Sequence, residues 1–227
     1  MTLLRCLLLP FLILLSACGV AVPADQSARI LAMGDSLLAW HGLAGKSIPD
    51  NVARELQEPV VDRSLSAARI IYKLPLSGGA GMNISKQYTP GKWDWVIVNG
   101  GGNDLWLGCG CVACGRKMDK LITADGRGGA IPAMLSELRA TGARVIYVGY
   151  LRSPGVGSLI EHCRDEGNAL EARITRLAAQ DEGIFFVSNK DMVPHGDRSY
   201  HASDMIHPSI KASREIGRKV AEIIRTN

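Results

Sequence analysis

The stretch "ARILAMGDS", residues 28–36, is a run of aliphatic side chains that stops at a glycine and is followed at once by aspartate and serine. An uninterrupted apolar run of this length fits a strand covered on both faces, and Gly34 marks where the chain turns out of it. Four later segments have the same character: "EPVVDRSL" (58–65), "WDWVIVNGGGND" (93–104), "ARVIYVGY" (143–150) and "IFFVSN" (184–189). Four of the five are nearly continuous apolar runs, as expected when helices cover both faces of a sheet. The segments between them carry helical spacing: 47–57, 116–123, 130–141 ending at Gly142, a long stretch 158–180 that includes His162 and Gly167, and 209–225. Residues 73–92, rich in Gly, Pro, Ser and Lys, read as a long loop. Strands alternating with helices predict an α/β fold built on a five-stranded parallel sheet. Such sheets hold ligands outside the carboxyl ends of their strands. Ser36, the 62–68 segment, the 99–104 turn and the loop after the fifth strand all follow strand ends, so remote residues are expected to meet on one rim.

The chain of 227 residues, 47% apolar with a net charge of +4, has the size and composition of a single globular domain. Its basic residues form no cluster interleaved with aromatics, which argues against nucleic acid as a partner. The N-terminus is different. Arg5 precedes an apolar stretch from Leu7 to Leu15, interrupted by Pro10 and followed by small residues, the pattern of a secretory signal. Leu15-Ser16-Ala17-Cys18 resembles the lipobox of bacterial lipoproteins. That resemblance implies a signal peptide over 1–17, lipidation of Cys18, a tether over 18–27 and a domain over 28–227. Export to the cell envelope follows, with a membrane attachment through Cys18 and, from Gly19, a periplasm-facing place at the outer membrane. Ordinary cleavage near Ala24 is the alternative.

With Cys6 in the signal and Cys18 lipidated, Cys109, Cys111, Cys114 and Cys163 remain. An even number in an exported chain predicts two disulfides, with three possible pairings. The rival is a metal site of "CGCVAC" with His162-Cys163. A redox role for Cys111 and Cys114 is weaker, because no strand-to-helix setting surrounds them.

A serine hydroxyl needs a base to take its proton, and a histidine base needs an acceptor to fix its tautomer. Among five histidines, His207 follows Asp204 by three residues in "SDMIHPS", with Pro208 at the expected start of the last helix. Asp197 with His201 is the competing pair, while His41 reads as a rim residue and His162 as solvated or structural. A developing oxyanion needs donors. "NGGGND" offers the Asn103 amide at a strand end, unless Asn103 and Asp104 simply cap the next segment. Backbone N–H groups of Ser36 and of the loop after the second strand would complete the set.

Together these blocks resemble the SGNH, or GDSL, hydrolase family: Gly34-Asp35-Ser36-Leu37, then Gly101-Gly102-Asn103-Asp104, then Asp204-Met205-Ile206-His207, in the family's order. The resemblance implies a flavodoxin-like three-layer α/β/α sandwich. It implies Ser36 as nucleophile, His207 as base, Asp204 as its orienter and Asn103 in the oxyanion hole. It also implies hydrolysis of carboxylic esters or thioesters with neither metal nor organic cofactor. The second block departs from the pattern. Ala67 stands where the family has glycine, and a positive φ there strains alanine; Gly78 or Gly79 are other candidate donors. Trp93 and Trp95 read as core, whereas Trp40 and Trp106 are placed to line an acyl or aryl pocket. The competing reading is a non-catalytic envelope lipoprotein that binds a glycan or lipid on the same fold. Metal storage at the cysteines is a third.

Overall fold

A computed structural model describes residues 28–227. The expected signal peptide, Cys18 and the tether lie outside the described residues. In chain order the elements are β1 (Ile30–Met33), α1 (Ser36–Ala39), α2 (Ile48–Leu56), β2 (Val60–Asp62), α3 (Pro75–Ser77), β3 (Trp95–Val98), α4 (Gly102–Cys109), α5 (Gly115–Leu121), α6 (Ala130–Ala140), β4 (Arg144–Val148), α7 (Arg164–Ala178), β5 (Ile184–Val187) and α8 (Ile210–Thr226). All five strands are parallel, in the order β2-β1-β3-β4-β5. This is the doubly wound, flavodoxin-like order, with its switch point between β1 and β3.

Alternation along the strands builds the two cores. Leu31, Met33, Val96, Val98, Val145 and Tyr147 face α5, α6 and α7. Ile30, Ala32, Trp95, Ile97, Ile146 and Val148 face α1, α2 and α8. Each such side chain, withdrawn fully from water, contributes about 1.5–3 kcal/mol, which explains why the runs read as continuous. Trp93 and Trp95 are buried, as expected.

Local chemistry sets the helix ends. Ser47 and Asp50 form a reciprocal capping box on α2. The Ser209 side chain caps α8 through Ala212 N–H, so Pro208 precedes the cap rather than opening the helix.

Three expectations need correction. Residues 73–92 are not one loop but contain α3 and the helical turns Gly78–Met82 and Ile84–Gln87. His162 is not in the long helix: a 3₁₀ turn, Glu161–Cys163, precedes α7. The expected 99–104 turn is shorter, because helix α4 begins within it at Gly102 and runs to Cys109.

Candidate active site

The loops that leave β1, β3, β4 and β5 surround a cavity of about 120 Å³. Ser36, Asn103 and His207 all line it, with Leu105, Trp106 and Leu170 forming an apolar side. Ser36 is the first residue of α1, whose cap is Asp35: the Asp35 carboxylate accepts from Leu37 N–H at 2.9 Å. The turn that carries Ser36 is clamped from elsewhere in the chain. The buried Gln87 side chain accepts from Gly34 N–H at 2.7 Å and donates to Gly34 O at 2.9 Å. Among the described residues, no hydrogen bond joins the Ser36 hydroxyl to the His207 ring.

His207 Nδ1 and Asp204 Oδ2 are 2.6 Å apart. The other Asp204 oxygen accepts from the N–H groups of Ile206 and His207, each at 3.0 Å. Burial pushes the Asp204 carboxyl up, but these hydrogen bonds outweigh it and hold the group below the ordinary range. A proton on Nδ1, where Asp204 accepts it, leaves Nε2 as the ring's acceptor. Trp40 stacks flat on the ring at 3.7 Å. His41 reaches the Pro208 carbonyl at 3.1 Å, so the Trp40-His41 pair braces the turn that carries His207.

The competing pair is not formed. Asp197 caps the turn Arg198–Tyr200 through Ser199 N–H. The His201 ring is buried with neither nitrogen hydrogen-bonded, and burial lowers its pKa.

Asn103 sits in the first turn of α4, after Gly101, whose φ of 92° only glycine adopts readily. One N–H of its amide donates to Ala68 O at 3.1 Å, which brings the second-block loop beside it. Asp104 secures the same loop by accepting from Ile70 and Ile71 N–H at 2.9 and 2.8 Å. Ala67 does not line the cavity. It does take the left-handed conformation, φ 63°, and its N–H has no partner among the described residues.

Tyr150 was not singled out from sequence. Its phenol donates to Asp35 Oδ2 at 2.5 Å and accepts from Gly102 N–H at 3.0 Å, joining the Ser36 turn to the Asn103 turn. A Cβ at Gly102 would lie 2.7 Å from the phenol ring, so glycine is needed for this approach. Tyr147, three residues earlier, donates to Gly100 O. The local signal is the pair of tyrosines in "IYVGY" at a strand end.

The four cysteines form two disulfides, Cys109–Cys114 and Cys111–Cys163. Cys111 and Cys114 are therefore not a redox pair. His162 lies 3.8 Å from Cys163 Sγ, but sulfurs bonded to each other are not thiolate ligands. The Cys111–Cys163 bridge lines the cavity beside Trp106, which supports the pocket role read for that residue. Trp40 instead covers His207.

Residues 32–214 match the GDSL-like lipase/acylhydrolase family. The chain belongs to that family. It is accordingly a hydrolase acting on esters. Among solved structures it is similar to TesA, at 21% identity and TM-score 0.57, covering 87% of this chain and 98% of that one. It is also similar to the psychrotrophic esterase EstA from Pseudoalteromonas sp. (18%, 0.54, 87% and 96%). A third is a family two carbohydrate esterase from Clostridium thermocellum in complex with cellohexaose (18%, 0.57, 91% and 66%). At such identities the likeness is one of fold. No curated protein sequence matches this GDSL-like chain.

Proposed function

We propose that the protein cleaves carboxylic esters or thioesters through an acyl-enzyme on Ser36. The observation that carries this reading is the Asp204–His207 hydrogen bond of 2.6 Å on the wall of a cavity that Ser36 and Asn103 share. In the proposed reaction Ser36 Oγ attacks the carbonyl carbon and its proton passes to His207 Nε2. Asp204 stabilises the imidazolium. The Asn103 amide and the N–H groups of Ser36 and Ala67 are assigned to the oxyanion, each worth on the order of 3 kcal/mol in the transition state. His207 then protonates the leaving alcohol or thiol. Water, deprotonated by the same ring, releases the acid.

The cavity volume of about 120 Å³ is well under the roughly 300–1,000 Å³ of sites for drug-sized ligands. With Leu105, Trp106 and Leu170 on its wall, it suits a short apolar acyl group. The alternative of a non-catalytic binding lipoprotein drew on the missing glycine of the second block. Ala67 at φ 63° adopts the conformation a glycine would supply, which removes that ground.

EstA, of the same fold, has been solved inhibited by monoethylphosphonate, and the same class of electrophile gives the test. A fluorophosphonate probe is expected to label the wild type and not Ser36→Ala, and p-nitrophenyl acetate to be turned over by the wild type alone. Absence of both labelling and turnover in the wild type would refute the reading. Export with a lipid on Cys18 belongs to the same proposal. The mass of the mature N-terminus tests it, and a chain beginning after Ala24 would overturn it.

A further inference from the structure

In a parallel sheet every connection from a strand to the next helix leaves from the same edge. The exposed large apolar side chains among the described residues all lie in those connections or in the helix turns they lead into. Leu43 follows β1, while Leu65, Leu74 and Leu76 follow β2. Leu107 and Val112 follow β3, Val156 and Leu159 follow β4, and Ile210 opens α8 after β5. None lies on the outer faces of α2, α5, α6 or α7, or in the connections at the opposite edge. Several have anchored neighbours on the cavity rim. Leu65 N–H bonds to Gly34 O, one residue before the cavity-lining Asp35, Leu159 precedes the cavity-lining Ile160, and Ile210 follows the cavity-lining Pro208 by two residues. Leu76 is 90% exposed and Leu43 fully so. Isolated exposed leucines are ordinary, but their confinement to the edge of the sheet on which the cavity opens is not.

Charge on the same edge says what covers it. After the exposed Asp62, the stretch from 63 to 91 has Arg63, Arg69, Lys73 and Lys86 and no acidic residue, although the whole chain is close to balance, with 26 basic and 22 acidic side chains. Arg63, Lys73 and Lys86 are exposed, and none forms an ion pair among the described residues. Lys73 directly precedes Leu74 and stands three residues before Leu76. Apolar side chains pointing outward, flanked by unpaired cations, fit the boundary between acyl chains and anionic headgroups. No helix among the described residues is long and apolar enough to cross a membrane, so the fit is to a surface.

We propose that this edge docks on an anionic phospholipid bilayer, with Leu74 and Leu76 dipping below the headgroups and the cavity mouth facing the lipid. The docking is a property of the rim, separate from the acyl-enzyme and from any lipid on Cys18. In the test, the full chain carrying Leu76→Trp is mixed with vesicles of phosphatidylcholine, with or without phosphatidylglycerol, containing brominated acyl chains. Quenching of the added emission is expected on the anionic vesicles, reduced at high salt. Adding Lys73→Glu and Lys86→Glu is expected to weaken the quenching at least tenfold in apparent lipid affinity while hydrolysis of a soluble short ester is unchanged. Because the N-terminal segment is the same in every sample, the difference belongs to the rim. Equal quenching on neutral and anionic vesicles, or none on either, overturns the proposal. So does a concentration-dependent dimer in Leu76-bearing protein that Leu76→Asp abolishes without effect on vesicles, since a second copy would then be the occupant. Docking without ester turnover would leave this proposal standing and remove the hydrolase mechanism alone.

Discussion

The indole of Trp40 lies on the imidazole of His207, with ring centroids 3.7 Å apart and planes 7° from parallel. Asp204 fixes one ring nitrogen, and the stack fixes the plane in which the other points. If His207 is the base proposed above, the stack holds the ring in the orientation that proton transfer needs. Trp40→Ala is expected to lower kcat about tenfold, equivalent to about 1.4 kcal/mol, with little change in KM. Trp40→Phe keeps a stacking face and should retain most of the activity. Steady-state kinetics on a soluble short ester decide it, and an unchanged kcat in Trp40→Ala would remove the stack from the mechanism.

Asp35 is 1% exposed, and burial raises its carboxyl to about 6 against the lowering effect of Tyr150 and Leu37 N–H. In the unfolded chain the group titrates near 4. Between those values the folded protein holds a proton that the unfolded chain has released. The favourable contribution of Asp35 is therefore fullest below about pH 4 and is lost as pH rises through about 6. Asp35→Asn keeps one acceptor oxygen, for Leu37 N–H, turns an amide N–H toward the Tyr150 oxygen and cannot ionise. Its stability relative to wild type should improve by up to about 3 kcal/mol between pH 4 and pH 7, read from urea unfolding at each pH. In Tyr150→Phe, which deletes the lowering hydrogen bond, the wild-type drop should move to higher pH. Parallel stability curves for wild type and Asp35→Asn would contradict this assignment.

These residues also mark the line between what the sequence discloses and what it conceals. The strands are legible because a central parallel strand has no polar face, and the three blocks are legible because each is local: Ser36 next to Gly34-Asp35, Asn103 after three glycines, Asp204 three residues from His207. Trp40 on His207, Gln87 on Gly34 and Tyr150 on Asp35 are contacts between separate elements, 53 residues apart for Gln87 and 115 for Tyr150. No periodicity or spacing encodes them. The disulfide pairing is concealed for the same reason, since three pairings of four cysteines look alike until α4 and α7 are placed together. The turns within 73–92 are concealed because short helical turns with Gly and Pro have the composition of a loop.

The Cys111–Cys163 bridge closes a loop of sequence separation 52 and ties the end of α4 to the start of α7 across the cavity wall. In the loop-entropy picture a bridge of that span is worth about 4 kcal/mol. Cys111→Ser with Cys163→Ser should lose a stability of that order in urea unfolding. It should also accept longer acyl esters, seen as a fall in the ratio of kcat/KM for acetyl over octanoyl substrates. Retained stability together with an unchanged acyl preference would show that the bridge braces neither the fold nor the wall.

Ala67 is held at φ 63°, where an alanine Cβ crowds its own carbonyl at a cost of about 1–2 kcal/mol. Glycine removes that strain but adds freedom to the unfolded chain, worth about 0.5–1 kcal/mol in the opposite direction. Ala67→Gly should therefore be neutral to stabilising, by at most about 1.5 kcal/mol, and should leave kcat equal or higher because the N–H keeps its direction. A β-branched side chain tolerates this conformation worst. Ala67→Val is expected to push the backbone out of the left-handed region and, if the N–H faces the oxyanion, to lower kcat by at least tenfold while KM changes little. The two variants separate strain from catalysis: Val destabilised with wild-type kcat would mean that the Ala67 N–H is no oxyanion donor, and that Ser36 and Asn103 carry the charge without it.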